Sequence, residues 1–226
     1  MEDYVIVVED AYVVFESLSG KVFALKGANL RVGEGEHICI TGPSGSGKTT
    51  FLNLIYGVVK PFSGAVRVLN KDLSSVDYKE LVDLRSSIGF ATQEGLFIDH
   101  LTIMENMYLK HASRFDDTSD FIDNVVRDAG ELGIEEVLTR FPDEISVGER
   151  KRAEILLAIF DGPPIALIDE PTAMLDSESV DKVLKYITRK TEGSTLIVTT
   201  HDPRVYVICE SVYELIDGKL YPKPSK

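Results

Sequence analysis

The chain has 226 residues, enough for one large α/β domain. Hydrophobic residues at 44% and charged residues at 27% exclude disordered, collagen-like and disulfide-scaffold chains. Asp and Glu outnumber Lys and Arg by 37 to 24, and a net charge of −13 is unsuited to gripping nucleic-acid phosphates or an anionic membrane surface. No apolar run approaches the ~20 residues of a membrane span. The acidic start Met1-Glu2-Asp3 lacks the basic segment of a signal peptide. A soluble intracellular protein is expected, with any membrane role exercised through a partner. Cys39 and Cys209 lie far apart in apolar stretches and are expected to be buried thiols rather than a bridge.

The N-terminal third reads as β-rich, with strands at Val5–Val8, Tyr12–Phe15, Ala28–Val32 and His37–Ile40 set off by turn residues such as Gly20 and Gly33. A helix is expected from Thr49 to about Tyr56, a strand at Ala65–Leu69, a helix over 78–86 and a strand at Ile88–Thr92. From about Thr102 to Ile159 the apolar period shifts to 3.6. Phe121, Ile122, Val125, Val126, Ala129 and Leu132 mark one helix face, so this stretch reads as a helical subdomain inserted in an α/β body. Ile165–Ile168 and Thr195–Thr199 are continuous apolar runs, as in strands buried on both faces. Between them Val180, Val183, Leu184 and Ile187 line one side of a helix. Asp217-Gly218 marks a hairpin between strands at 211–216 and 219–221, and Pro222–Lys226 reads as a loose tail.

The sharpest motif is Gly42-Pro43-Ser44-Gly45-Ser46-Gly47-Lys48-Thr49, followed by Thr50. It fits G-x-x-x-x-G-K-[ST] between a strand and a helix, the context in which glycines let backbone N–H groups wrap a phosphate. Lys48 is placed for the β/γ-phosphates and Thr49 for Mg²⁺. Asp169 and Glu170 end the strand at Ile165–Ile168, where parallel sheets bind ligands. Asp169 is the expected metal carboxylate, and Glu170 the expected base for the attacking water. Gln93 is placed for Mg²⁺ or that water, and His201 for the γ-phosphate. In Ile145-Ser146-Val147-Gly148-Glu149 a Ser and a Gly stand at a helix start, a ready anion site.

This ordered set, with Ala173-Met174-Leu175-Asp176 added, resembles the nucleotide-binding domain of ATP-binding cassette (ABC) proteins from about Val5 to about Tyr221. The resemblance implies one nucleotide-binding domain over 1–226. Its fold is a RecA-like P-loop NTPase core with an N-terminal antiparallel β subdomain and an inserted α-helical subdomain at about 102–159. It implies ATP hydrolysis with Mg²⁺ between two domains closed head to tail. Ser146 and Gly148 then reach the γ-phosphate held by the other subunit, and Asp176 lies at the seam. The aromatic ring that stacks on adenine matches Phe15, ten residues before Leu25, with Tyr12 as the alternative. Two departures stand out: Val147 replaces a signature glycine, and Glu149 replaces a glutamine. A carboxylate near a triphosphate repels it, so Glu149 is expected to point away or to be paired.

Ser87–Gln93, Leu101–Asn106 and the lead-in Phe141-Pro142-Asp143-Glu144 resemble the lipoprotein-release, macrolide-export and cell-division ATPases. That group implies an ATPase subunit on the cytoplasmic face of a membrane. It is held there only through a separate integral membrane permease, works with a second nucleotide-binding domain in a homo- or heterodimer, and binds no nucleic acid. Gly148–Leu156 resembles instead the iron–sulfur assembly ATPase, a non-transport protein that works with soluble scaffolds.

Overall fold

The computed structural model describes residues 4–17, 20–92 and 96–224. Strands β1 (Tyr4–Ser17), β2 (Gly20–Gly33), β4 (Ser63–Val68) and β5 (Lys71–Asp72) form an antiparallel sheet in the order β2-β1-β4-β5. A second sheet holds β3 (His37–Thr41), β6 (Ile88–Ala91), β7 (Ile165–Asp169), β8 (Thr195–Thr199), β9 (Ser211–Ile216) and β10 (Lys219–Lys223). Its order is β10-β9-β3-β8-β7-β6, with β10 alone antiparallel to its neighbour. Helix α1 (Lys48–Ile55) follows β3, and α2 (Tyr78–Ser86) precedes β6. Helices α3 (Ile103–Ala112), α4 (Phe121–Leu132) and α5 (Val147–Ile159) fill the span between β6 and β7, and α6 (Ser177–Lys190) joins β7 to β8.

The two-residue period of the strands divides the molecule into two cores. Ile38, Ile40, Ile165, Leu167 and Ile197 face α1 and the antiparallel sheet. The residues between them, Cys39, Ala166, Ile168, Leu196 and Val198, face the apolar sides of α4, α5 and α6. Every residue of β7 and β8 is buried, which is why both read as unbroken apolar runs. Helix α4 is also tied to α6 by charge. The fully buried Asp128 carboxylate accepts from Tyr186 (3.2 Å) and Arg189 (3.1 Å) and pairs with Lys190 (3.0 Å). Burial acts to raise that carboxyl, but Lys190 and Arg189 outweigh it and hold it below the usual range.

Three features depart from the sequence reading. The strands expected at Val5–Val8 and Tyr12–Phe15 are one strand. Its pairing with β2 shifts register around Val8–Tyr12, where Asp10 has φ 45°, and this bulge breaks the alternation that would have marked it as continuous. Pro222 and Lys223 extend the edge strand β10 opposite Tyr213 and Val212, so the tail is shorter than expected. Finally, Cys39 and Cys209 are joined in a disulfide, with Cα atoms 5.7 Å apart, and are not thiols. Separation along the chain misled here. Cys209 stands two residues before Ser211, which pairs with Ile38 across the parallel β3–β9 contact.

The bridge closes a loop of 170 residues and so restricts the unfolded chain strongly; a stabilisation of about 5 kcal/mol is expected from loop closure. Thermal unfolding with and without reductant checks this. The wild type should lose stability on reduction, and a Cys209→Ser chain should show one transition under both conditions. An unchanged wild-type transition would show that the bridge does not form in solution.

Candidate nucleotide site

The loop between β3 and α1 is shaped by glycines that nothing else can replace. Gly42 has φ 150°, and a Cβ there would lie 2.4 Å from the Leu215 carbonyl oxygen. Gly47 has φ 103°, and a Cβ would lie 2.6 Å from the Ala24 carbonyl oxygen. Gly45, at φ 76°, faces open space. The loop therefore curls into a cradle whose floor is the N-terminus of α1, where unpaired N–H groups carry positive potential. The Ser46 hydroxyl is buried in the cradle with no hydrogen-bond partner among the described residues. Lys48 Nζ turns back to donate to the loop's own carbonyls, Gly42 (2.9 Å) and Pro43 (3.2 Å). A cradle of free donors with an ammonium folded over it is the donor set a polyphosphate requires.

The parallel strands bring the acidic residues to this cradle. Asp169 ends β7 and is 1% exposed. Its carboxylate accepts from Thr49 Oγ1 at 2.7 Å and from the Thr199 hydroxyl of β8. Next to it Glu170 lies 3.8 Å from Lys48 Nζ and accepts from the His201 backbone N–H at 3.2 Å. His201 Nδ1 is 2.8 Å from the same carboxylate oxygen. Gly42–Thr50, Asp169, Glu170 and His201 are thus one constellation at the C-terminal ends of β3, β7 and β8. One carboxylate and one hydroxyl make no all-protein cage. They suit Mg²⁺, which draws its remaining ligands from phosphate oxygens and water. Gln93, expected beside them, lies outside the described residues.

A family model described as ABC transporter matches residues 25–173.

The chain belongs to the ABC transporter family. It is 35% identical over 205 residues to the bacitracin export ATP-binding protein BceA of Halalkalibacterium halodurans, covering 89% of this chain and 81% of that one. It is 31% identical over 226 residues to the lipoprotein-releasing system ATP-binding protein LolD of Legionella pneumophila, covering 99% and 100%. The solved dimer of the cassette MJ0796 in a post-hydrolysis state with ADP and Pi superposes with a TM-score of 0.90 at 30% identity, over 98% of this chain and 99% of that one. The ABC resemblance and the RecA-like P-loop fold with its antiparallel sheet and helical insert are borne out, and the chain is an ATP-binding protein and an ATPase.

Within this ABC cassette the other expected site residues are more dispersed. Phe15 lies on β1 opposite Val22 and is 44% exposed. The cleft of about 360 Å³ beside Pro43–Ser46 is lined instead by Phe23 and by the 216–218 turn, so Phe23 is an aromatic neighbour of the loop to which no sequence motif points. Its place comes from the fold: the carbonyl of the next residue, Ala24, packs on Gly47. Tyr12, the alternative, packs its hydroxyl end over Gly27. Asp176 caps α6, accepting from the Ser179 N–H (2.9 Å) and hydroxyl (2.8 Å), bonds that hold its carboxyl below the usual range. Met174, with φ 63° and 81% exposed, juts out beside it.

The signature abuts that loop: a Cβ on Gly148 would lie 3.5 Å from the Met174 carbonyl oxygen. Val147 is 67% exposed at the first turn of α5, so its branched side chain projects outward. Glu149 is paired, as expected, and its partner is the signature itself. Its carboxylate accepts from the Ser146 N–H (2.9 Å) and hydroxyl (2.7 Å), bonds that lower its pKa, while its own N–H donates to Ser146 Oγ (3.3 Å). This capping box places a negative charge on the donors that a γ-phosphate would use. The Glu149→Gln chain keeps the box and loses the charge. It should form the ATP-bound dimer at about fivefold lower Mg-ATP, for a gain near 1 kcal/mol from one removed like charge. Gel filtration across a series of ATP concentrations checks this. An unshifted midpoint would mean that Glu149 leaves the site in the closed state at no cost.

Proposed function

We propose that this chain is the ATPase subunit of a transporter whose permease is a separate integral membrane protein, and that residues 1–226 form one nucleotide-binding domain with the helical subdomain at about 102–159. Two subunits close head to tail around two ATP molecules, with Mg²⁺ held by Thr49, Asp169 and Gln93 together with phosphate and water. The observation that carries this is the convergence of Lys48, Thr49, Asp169, Glu170 and His201 at one sheet edge. Lys48 leaves its own loop carbonyls for the β/γ-phosphates, and Thr50 completes the loop behind Thr49. Glu170 orients and deprotonates the attacking water, His201 hydrogen-bonds the γ-phosphate, and bound Mg²⁺ neutralises charge on the phosphates. Ser146 and Gly148 of one subunit contact the γ-phosphate held by the other, Asp176 lies at the seam, and Phe15 stacks on adenine.

The permease is proposed to dock in the groove of about 370 Å³ between the two cores. Phe90, Leu96, Ile98 and Leu109 supply apolar walls there, and Arg85 and Lys110 the polar ones. Lys110 binds the carbonyls of Leu157 and Ala158 at the end of α5, and burial lowers its pKa to about 8. Movement of α5 is thereby felt at the groove wall. Among the described residues no helix is long and apolar enough to cross a membrane. Contact with the membrane therefore runs through the permease, on the cytoplasmic face where ATP is available. The net charge of −13 supports a protein partner over nucleic acid. The matched relatives carry transporter names, which favours transport over the iron–sulfur assembly alternative.

Two measurements test this. Glu170→Gln should lower Mg-ATP turnover by at least about 100-fold while nucleotide binding persists; turnover at the wild-type rate would remove Glu170 as the base. Affinity capture of the tagged chain from gently solubilised membranes should bring down a polytopic membrane protein in near-stoichiometric amount. Recovery of soluble scaffold proteins alone would overturn the transport reading.

A further inference from the structure

One buried cation near the site has no part in the mechanism above. Lys151, on the second turn of α5, is 7% exposed. Its Nζ donates to the main-chain carbonyl of Asp169 at 2.7 Å and lies 3.4 Å from the carbonyl of Thr92, at the end of β6. The other half of the Asp169–Glu170 peptide is held too, because the Glu170 N–H donates to the Thr199 carbonyl at 2.9 Å. One peptide unit is thus gripped on both sides, by β8 through its N–H and by α5 through its C=O. The grip falls where the backbone most needs it. Glu170 has φ 48°, a left-handed conformation that side chains other than glycine adopt only at a cost. That conformation turns the Glu170 carboxylate toward Lys48 and His201.

We propose that Lys151 is a positioning residue for hydrolysis: by holding the Asp169 carbonyl it fixes the peptide that aims Glu170 at the attacking water. The inference rests on the reading of Glu170 as the base. Burial pushes the Lys151 pKa down, so the ammonium is kept at a cost that its bonds to Asp169 and Thr92 offset. Glu154, one turn on and also buried, is its neighbouring counter-charge, and burial raises the Glu154 carboxyl. Lys151 stands on the same rigid helix as Ser146. A shift of the signature end of α5 is therefore delivered directly to the peptide that aims the subunit's own base.

The test uses the full chain and Mg-ATP. Lys151→Met removes the donor and leaves the buried Glu154 with Arg150, 3.4 Å away, as its remaining cation, whereas Lys151→Met/Glu154→Met removes both buried charges, so the second chain is expected to fold even where the first does not. Lys151→Gln keeps an N–H donor and drops the charge. The Met chains should lose about 10- to 100-fold in kcat, with Mg-ATP KM, ADP affinity and melting temperature near wild type. Lys151→Gln should recover most of the lost rate. A purely structural lysine would instead lower stability and leave the kcat of folded protein intact. The proposal is overturned if the folded Met chains turn over within about twofold of wild type, or if Lys151→Gln is as impaired as they are. Glu170→Gln is assayed alongside. If it turns over normally, the reading of the base fails. If it is inactive while the Met chains are active, only the role of Lys151 fails.

Discussion

The architecture turns on two close approaches of backbone to backbone. The Leu215 carbonyl presses on Gly42, and the Ala24 carbonyl presses on Gly47, each at a distance that leaves no room for a Cβ. One carbonyl comes from β9, in the parallel sheet, and the other from β2, in the antiparallel sheet. The phosphate loop is therefore the joint at which the two sheets meet. A side chain at either glycine would push a sheet away as well as spoil a turn. The Lys26 N–H, which donates to the Gly218 carbonyl at 2.9 Å, closes the same joint from the hairpin side.

Given that joint, the charge arrangement follows from strand order. With β3, β8 and β7 adjacent and parallel, residues just past their ends must share one edge. Asp169 can be almost fully buried because Thr49 and Thr199 each donate to one of its oxygens. Lys48 can be buried because the loop carbonyls accept from it. Glu170 sits between Lys48 and His201, so its carboxylate already faces a cation within the site. The loop's own main-chain carbonyls and Glu170 together hold the Lys48 ammonium inside the cradle.

How much of this could be read from the sequence depended on how local each signal is. The phosphate loop, the Asp169-Glu170 strand end and the amphipathic face of α4 are written in consecutive residues or at a fixed period, and the elements fell where the pattern placed them. The Cys39–Cys209 bridge depends on β3 lying beside β9, which nothing near either cysteine announces. The continuity of β1 was hidden because a bulge reads as a turn. Phe23 was missed because its importance comes from the fold: its neighbour Ala24 touches Gly47. Lys151 did carry a signal. It occupies the first position of a helix stretch in which almost every following residue is buried, and a lysine on such a stretch needs a partner. The partner, a main-chain carbonyl 18 residues away, could not be named from sequence.

Helix α5 carries both of the charge placements that distinguish this site, and they face opposite ways. At its N-terminus Glu149 keeps the donors of Ser146 occupied on the surface where a second subunit would close. Half a turn further on, Lys151 reaches into the core and grips the peptide beside the subunit's own base. Ser146 caps the helix that carries Lys151, so the signature and the grip on the Asp169 carbonyl belong to one thirteen-residue element. On the proposed function, the surface that meets a second subunit thus lies half a turn from the grip on the Asp169 carbonyl.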